Sequence, residues 1–340
     1  MTIATMTTNL LAATLSLTFL CAIDLQSAST GADSSTTQIA LPGVERLLPA
    51  QDYSVVETGP HHRVVSRVSR LGDANGQAIL QTNSYVELAT GMNFLNERGG
   101  WEESKEEIEV LTDDSGAAAL HGQHKVTFPP DIYEGRIKMS LPDGKWLVSR
   151  VLGLSYFDAS DGRSVLIAEI TNSVGEIHEN VVIYPRAFTD VQASLRYTYT
   201  REGFEQDVIL DRAGGLPKPE EFGLNPETTR LQVLTEFFDP PTPTKTERRV
   251  VSKSGEELTD HGLSFNQMEM ASGKAFCPAL ESEEGVSVAK QWVRLEGRDF
   301  LIEEVQIKDV LHSHGEYAGY MAREQLPARG NGFEGRKYDR

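Results

Sequence analysis

The chain has 340 residues, 39% of them hydrophobic, and a formal net charge of -18 with a pI near 4.9. That length suggests about two domains of ~150 residues, and a mean hydropathy of -0.33 suits a soluble protein with a sizeable core. So acidic a chain has no basic stripe with which to displace counterions from phosphates, which excludes a nucleic-acid partner and argues against anionic membrane surfaces.

Leu10 to Ile23 is an uncharged apolar run bounded by Asn9 and Asp24. It is shorter than the ~18–20 residues a bilayer span needs. Ser27 and Ser29 follow at small-residue positions −3 and −1, so residues 1–29 read as a secretory signal peptide and the expected location is secreted or periplasmic, with no membrane span once it is removed. Met1 to Asn9 carries no Lys or Arg, and a buried N-terminal helix is the alternative. The sequence holds two cysteines. Cys21 would leave with the signal, and Cys277 would then have no disulfide partner. A lipoprotein use of Cys21 needs a small residue before it, where Leu20 stands.

Residues 30–50 read as a flexible leader, Ser/Thr-rich from Thr30 to Gln38. Alternating pieces then begin: Tyr53, Val55 and Val56, then Val64, Val65 and Val68, a turn at 73–76, and a further strand from Ile79 to Val86. Arg98-Gly99-Gly100 is a tight turn that delivers Trp101. The carboxylate-dense segment Glu102 to Glu109 reads as a solvated face anchored by Ile108 and Leu111 rather than as a metal or acid/base cluster.

The stretch from Trp146 to Ile170 organises the rest. Trp146, Val148, Leu152, Leu154 and Tyr156 alternate on one side, with Leu147, Val151 and Phe157 on the other. A strand apolar on both faces belongs in the middle of a sandwich. Asp158 to Arg163 turns it, and Val165, Leu166, Ile167 and Ile170 run back. Leu195, Tyr197 and Tyr199 share a face, and Phe204 to Leu210 returns after Glu202-Gly203. Leu231, Val233 and Phe237 mark another strand. Pro240 to Thr244 is a stiff crossing, Val250 to Phe276 is weakly patterned, and Val286 to Leu295 with Phe300 to Ile307 forms a second hairpin. Turns every ~8–12 residues without long helical periodicity predict an all-β fold, an antiparallel sandwich of short strands. The expected divisions are a β-sandwich region over 51–240 with a break near 175, a smaller hairpin region over 241–310, and a frayed tail over 311–340.

Gly91 to Phe94, Arg98 to Trp101 and Ile108, together with Leu195 to Tyr197 and Gly203 to Leu210, resemble the non-repeat N-terminal region of secreted bacterial YD-repeat (Rhs-type) proteins. Phe157-Asp158 with Gly162-Arg163 is similar to one YD core, with Phe in place of tyrosine and a spacing one residue long. It occurs once, whereas repeats bury their faces only in several copies. The resemblance implies an exported leader module that carries or presents something larger, of which this chain would be the module alone.

No residue set reads as catalytic. No Gly-Xaa-Ser-Xaa-Gly elbow is present, no Gly-rich phosphate loop precedes a helix, and Cys277 has no activating neighbour in sequence. His121 and His124 have a spacing that could wrap a metal, yet no adjacent ligand set completes it. Asp158 and Asp161 read as turn formers rather than calcium ligands, which number six to eight oxygens. No cofactor or metal is expected. Trp146 and Trp292 sit in apolar strands and default to the core, which leaves Trp101 as the surface candidate for stacking on a sugar. Three readings follow: a non-catalytic structural or presentation module with an unidentified protein or polysaccharide partner, a carbohydrate-binding sandwich, and a glycosidase-like hydrolase, which would need two carboxylates facing each other at ~5–10 Å.

Overall fold

A computed structural model describes residues 2–10, 53–72, 78–210, 215–276, 285–311 and 336–337. Beyond Leu10, the expected export signal and leader lie outside the described residues, as do Cys21, Cys277, His312 and His314. The chain divides into two compact units, one comprising 12–89 and the other 1–11 with 90–340. Among the described residues, no helix is long and apolar enough to cross a membrane.

In chain order the strands begin with β1 (Thr2–Leu10), β2 (Ser54–Gly59), β3 (His62–Gly72) and β4 (Ala78–Leu88). β5 (Asn93–Leu95) and β6 (Trp101–Glu103) form a small hairpin. Next come β7 (Glu109–Val110), β8 (Ala117–Ala119), β9 (Lys125–Phe128), β10 (Ile137–Ser140), β11 (Trp146–Asp158) and β12 (Ser164–Glu169). β13 (Glu176–His178), β14 (Val181–Tyr184), β15 (Ala193–Tyr199) and β16 (Gly203–Leu210) form a meander. The chain continues through β17 (Thr229–Phe237), β18 (Thr244–Val251), β19 (Glu257–Phe265), β20 (Met268–Met270), β21 (Gly273–Phe276), β22 (Val286–Leu295), β23 (Arg298–Gln306) and β24 (Arg336–Lys337).

The smaller unit is the antiparallel sheet β2-β3-β4. In the larger unit the fold is an all-β antiparallel sandwich. One sheet runs β7-β8-β9-β10-β11-β17-β23-β22, with β12 taking over from β10 along the same edge of β11. The other runs β24-β13-β14-β15-β16-β1, after which β1 pairs with both β20 and β21, and β20 leads to β19 and β18. β22 turns the corner: its first half pairs with β21 and its second half with β23. The backbone of Thr2–Leu10 therefore lies between β16 and the β20/β21 edge, so the start of the segment expected to leave as an export signal is paired as a strand in the full chain.

A single apolar cluster fills the space between the sheets, contributed by both. Three of its phenols satisfy their polar ends on backbone carbonyls, whereas the buried Tyr197 hydroxyl has no hydrogen-bond partner among the described residues. Tyr184 Oη donates to Pro129 O at 2.7 Å, Tyr156 Oη to Pro217 O at 2.7 Å, and Tyr199 Oη to His124 O at 3.0 Å. Leu195, Tyr197 and Tyr199 all face inward, and Tyr197 stacks on Phe204 at 5.6 Å.

The central strand is β11, flanked by β17 on one edge and by β10 and β12 on the other. Its two apolar faces have a specific cause. Leu147 and Val151 point into the core, yet further along it is Leu154 and Tyr156 that do so. The register against β17 shifts between Val151 and Gly153, a β-bulge that inserts one residue and reverses the alternation. Trp146, Val148 and Leu152 thus lie off the core face and are not covered as the alternation alone predicts. Gly153 fits because a Cβ there would stand 2.2 Å from Ala168 O.

The weakly patterned stretch Val250 to Phe276 also departs from its expectation. It holds β19 to β21, with Leu258, Leu263, Phe265, Met268 and Met270 buried. Strands on either side of 240 share one sheet, since β17 pairs with both β11 and β23.

Candidate binding groove

Trp146 opens β11 at the rim of the sandwich. The turn before it is closed by Leu141 N donating to Lys145 O at 2.7 Å, with Gly144 at a φ of +81° that favours glycine. Asp143 Oδ1 accepts the Lys145 N–H at 3.1 Å, and its Oδ2 accepts from Asn266 Nδ2 at 2.5 Å. These donors, the Lys145 backbone N–H first, hold the Asp143 carboxyl below the usual carboxylate range. Asn266 is presented by the β19–β20 turn with a φ of +57°.

The indole of Trp146 is 49% exposed. It forms the shared wall of two adjoining depressions. One, of about 580 Å³, runs past Asp143, Lys145, Asn266 and Asp239 to Pro240 and Pro241. The other, of about 710 Å³, is bounded by Lys138, Arg136, Glu134 and Phe238. A third depression, on the Arg298 side, also reaches Asp239. Asp239 therefore stands where three hollows meet. It holds a φ of +45° immediately before Pro240, a position where proline already disfavours folded backbone. The Arg136 guanidinium lies over the Phe238 ring at 3.5 Å from its centroid. An exposed aromatic face bordered by carboxylates, an amide and a lysine is what a polyhydroxylated ligand requires: ring stacking for its apolar face, hydrogen bonds for its hydroxyls.

Strand alternation places Trp146 in the core. The structure corrects this: the strand is apolar at Trp146, but the bulge places the core face on Leu147 and Val151. Trp292 does pack in the core, 4% exposed, with Phe237 at 4.8 Å and Phe265 at 5.6 Å. Trp101 is 38% exposed on β6, across from the exposed Leu95, and does not line the Trp146 groove. Its hairpin is set by Asn96 Oδ1, which accepts the Gly100 N–H at 2.8 Å and the Arg98 N–H at 3.0 Å.

The histidines and aspartates are placed as follows. His121 Nε2 meets Glu109 Oε1 at 3.1 Å, and donor atoms of Glu107, Glu109 and His121 lie within 4.8 Å of one another. The fold thus supplies His121 with the carboxylates that its sequence neighbours did not. Lys105 Nζ, 3.0 Å from Glu107, already neutralises one of them on this exposed face. His124 points the other way, fully buried against Tyr199 at 4.8 Å, and burial pushes its imidazole down to about 4. Asp158 is a hub for its turn. It accepts from Thr228 Oγ1 at 2.6 Å, Asn225 N at 2.8 Å, Ser160 Oγ at 2.7 Å and Ser160 N at 2.9 Å. Those bonds, the one from Thr228 first, hold its carboxyl far below the usual range. Asp161 pairs with Arg163 Nε at 2.7 Å. Both aspartates are committed to turn formation.

No family model matches the chain, and neither the curated proteins nor the solved structures contain a match.

Proposed function

We propose that this chain is a non-catalytic, exported β-sandwich that binds carbohydrate along the Trp146 groove. The observation that carries the reading is the half-exposed indole of Trp146, set on a rigid central strand at the shared wall of two polar hollows. A large aromatic ring left uncovered forgoes the burial that the same side chain obtains at Trp292. The polar groups beside it are pre-positioned: Asn266 and Lys145 both hydrogen-bond Asp143. A pyranose ring lying on Trp146 would find acceptors at Asp143 and Asp239 and donors at Lys145 and Lys138. The leader-module role implied by the YD-repeat resemblance is compatible with such a site, because a presented module gains from anchoring to a polysaccharide.

The test is affinity electrophoresis and isothermal titration with a β-glucan, a xylan and a chitooligosaccharide, comparing wild type with Trp146→Ala and Trp101→Ala. The expected result is retardation or heat with at least one polysaccharide, abolished by Trp146→Ala and kept by Trp101→Ala. Binding lost with Trp101→Ala and kept with Trp146→Ala would move the site to the β5–β6 hairpin. No binding by the wild type to any of the three would remove the reading.

A further inference from the structure

Inside the sandwich, where β19 meets β22, a lysine and an aspartate face each other out of solvent. Lys290 on β22 is 1% exposed and Asp260 on β19 is 0% exposed. Lys290 Nζ stands 3.3 Å from Asp260 Oδ1, and the Lys290 backbone N–H donates to the same oxygen at 2.9 Å. The other oxygen, Oδ2, accepts from Arg248 Nε at 2.5 Å. A second carboxylate completes the group. Glu303 on β23 lies directly across the ladder from Lys290, so the two side chains leave the sheet on the same side. Glu303 is 1% exposed, and its charge acts on the Lys290 amine.

A buried ion pair of this kind is costly to assemble, and apolar residues of similar volume commonly replace one without loss of stability. Its presence on strands that also bury Leu258, Val288, Trp292 and Leu301 invites a reason beyond stability. The chemistry offers one. Burial holds the Lys290 amine below its usual range and so favours its uncharged, nucleophilic form. Fixing the reacting atoms in near contact removes most of the entropic barrier to joining them.

We infer that Lys290 and Asp260 form an intramolecular isopeptide bond, with Glu303 carrying the proton and Arg248 holding the carboxyl oxygen. The ammonium of Lys290 first passes one proton to Asp260 Oδ1, giving a neutral amine and a neutral carboxyl. The nitrogen lone pair then attacks Asp260 Cγ and a C–N bond forms. Negative charge develops on Oδ2, where the Arg248 guanidinium already donates. Glu303 takes a second proton from the attacking nitrogen and delivers it to Oδ1. The Cγ–Oδ1 bond breaks, Oδ1 leaves as water, and Oδ2 remains as the amide carbonyl oxygen with one hydrogen left on nitrogen. No oxidant or reductant enters. The product ties β19 to β22 by a covalent link that reducing agents do not cut.

Tryptic peptide mapping of the folded, purified wild type by mass spectrometry tests this, and the readout does not depend on where the N-terminus lies. Trypsin does not cut after an acylated lysine, so the expected product is a branched species in which residues 275–294 remain uncut and are joined to residues 254–274, lighter than their sum by one water. Glu303→Gln and Lys290→Arg are expected to restore cleavage after position 290 and to give residues 254–274, 275–290 and 291–294 separately and at full mass. Recovery of residues 254–274, 275–290 and 291–294 as separate peptides at full mass in the wild type, with Lys290 cleaved, overturns the proposal. Should a variant fail to fold, the wild-type map alone decides whether the bond exists. A branched peptide that persists in Glu303→Gln would remove Glu303 from the proton-carrying role.

Discussion

Trp146 and Trp292 stand in strands that read alike and end in opposite places. Each begins or crosses a run of strand-forming residues, and each belongs to the same sheet. Trp292 sits between Phe237 and Phe265 in the core, whereas Trp146 is half in solvent above Asp143 and Asp239. The difference is one inserted residue. The bulge between Val151 and Gly153 lets β11 bury Leu147 and Val151 before it and Leu154 and Tyr156 after it, and so turns Trp146 outward. A single irregularity in one strand thus leaves a large aromatic free for a ligand while keeping the strand central.

The contrast is broken most severely by removing the buried ring. Trp292→Ala is expected to cost about 3–5 kcal/mol, the transfer term plus the cavity between two aromatic neighbours, measured as a large drop in the urea midpoint. Leu154→Ala, on the core face just after the bulge, is expected to cost about 2–5 kcal/mol by the same assay. Equal midpoints for Leu154→Ala and wild type would mean that β11 is not central. Ser160→Ala falls below these. Its hydroxyl donates to Asp158 at 2.7 Å in the turn after β11, so a loss on the order of 1 kcal/mol is expected, the net worth of one hydrogen bond.

Two buried titrating groups, Asp207 on β16 and His124 just before β9, sharpen the comparison through pH. Burial raises the Asp207 carboxyl to about 6 despite its ion pair with Arg196, so the folded state binds a proton that the unfolded state releases near 3.8. Its contribution is present below that unfolded value and is lost as pH rises through about 6. His124 acts in the opposite sense. Its folded value of about 4 lies below the unfolded 6.5, so its contribution is present above 6.5 and is lost as pH falls toward 4. Urea midpoints between pH 4 and 6.5 are therefore expected to rise more steeply with pH in Asp207→Asn than in wild type, and less steeply in His124→Gln. Slopes equal to wild type in both variants would contradict these assignments.

The strand-and-turn pattern carried the fold class. The central hairpin, the β15–β16 pair and the β22–β23 hairpin all lie where alternation and turn residues place them, because a half-buried strand imposes period two on its own sequence. The stretch of β18 to β21 was obscure because Asp260 takes a core position that pattern reading reserves for apolar residues. The groove was less legible still. The one local sign of the bulge is Gly153, an isolated glycine inside an apolar strand, and the polar wall joins Asp143, Asp239 and Asn266, which are far apart in sequence. The exposed valines and leucines of the smaller unit, Val55, Val56, Leu80, Val86 and Leu88, teach the same limit: alternation announces a strand, not what covers it.

The smallest effect on stability is expected at Trp146, and it is joined to the largest effect on binding. Trp146→Ala is a surface change, expected within about ±0.5 kcal/mol of wild type. The most direct measurement is acrylamide quenching of tryptophan fluorescence with and without the polysaccharide that binds in the titrations. In the wild type, the ligand is expected to shift emission to the blue and to shield one accessible tryptophan from quenching. In folded Trp146→Ala, with its urea midpoint preserved, that protection is expected to vanish. Equal ligand protection in both proteins would show that the sugar lies elsewhere and would contradict the account.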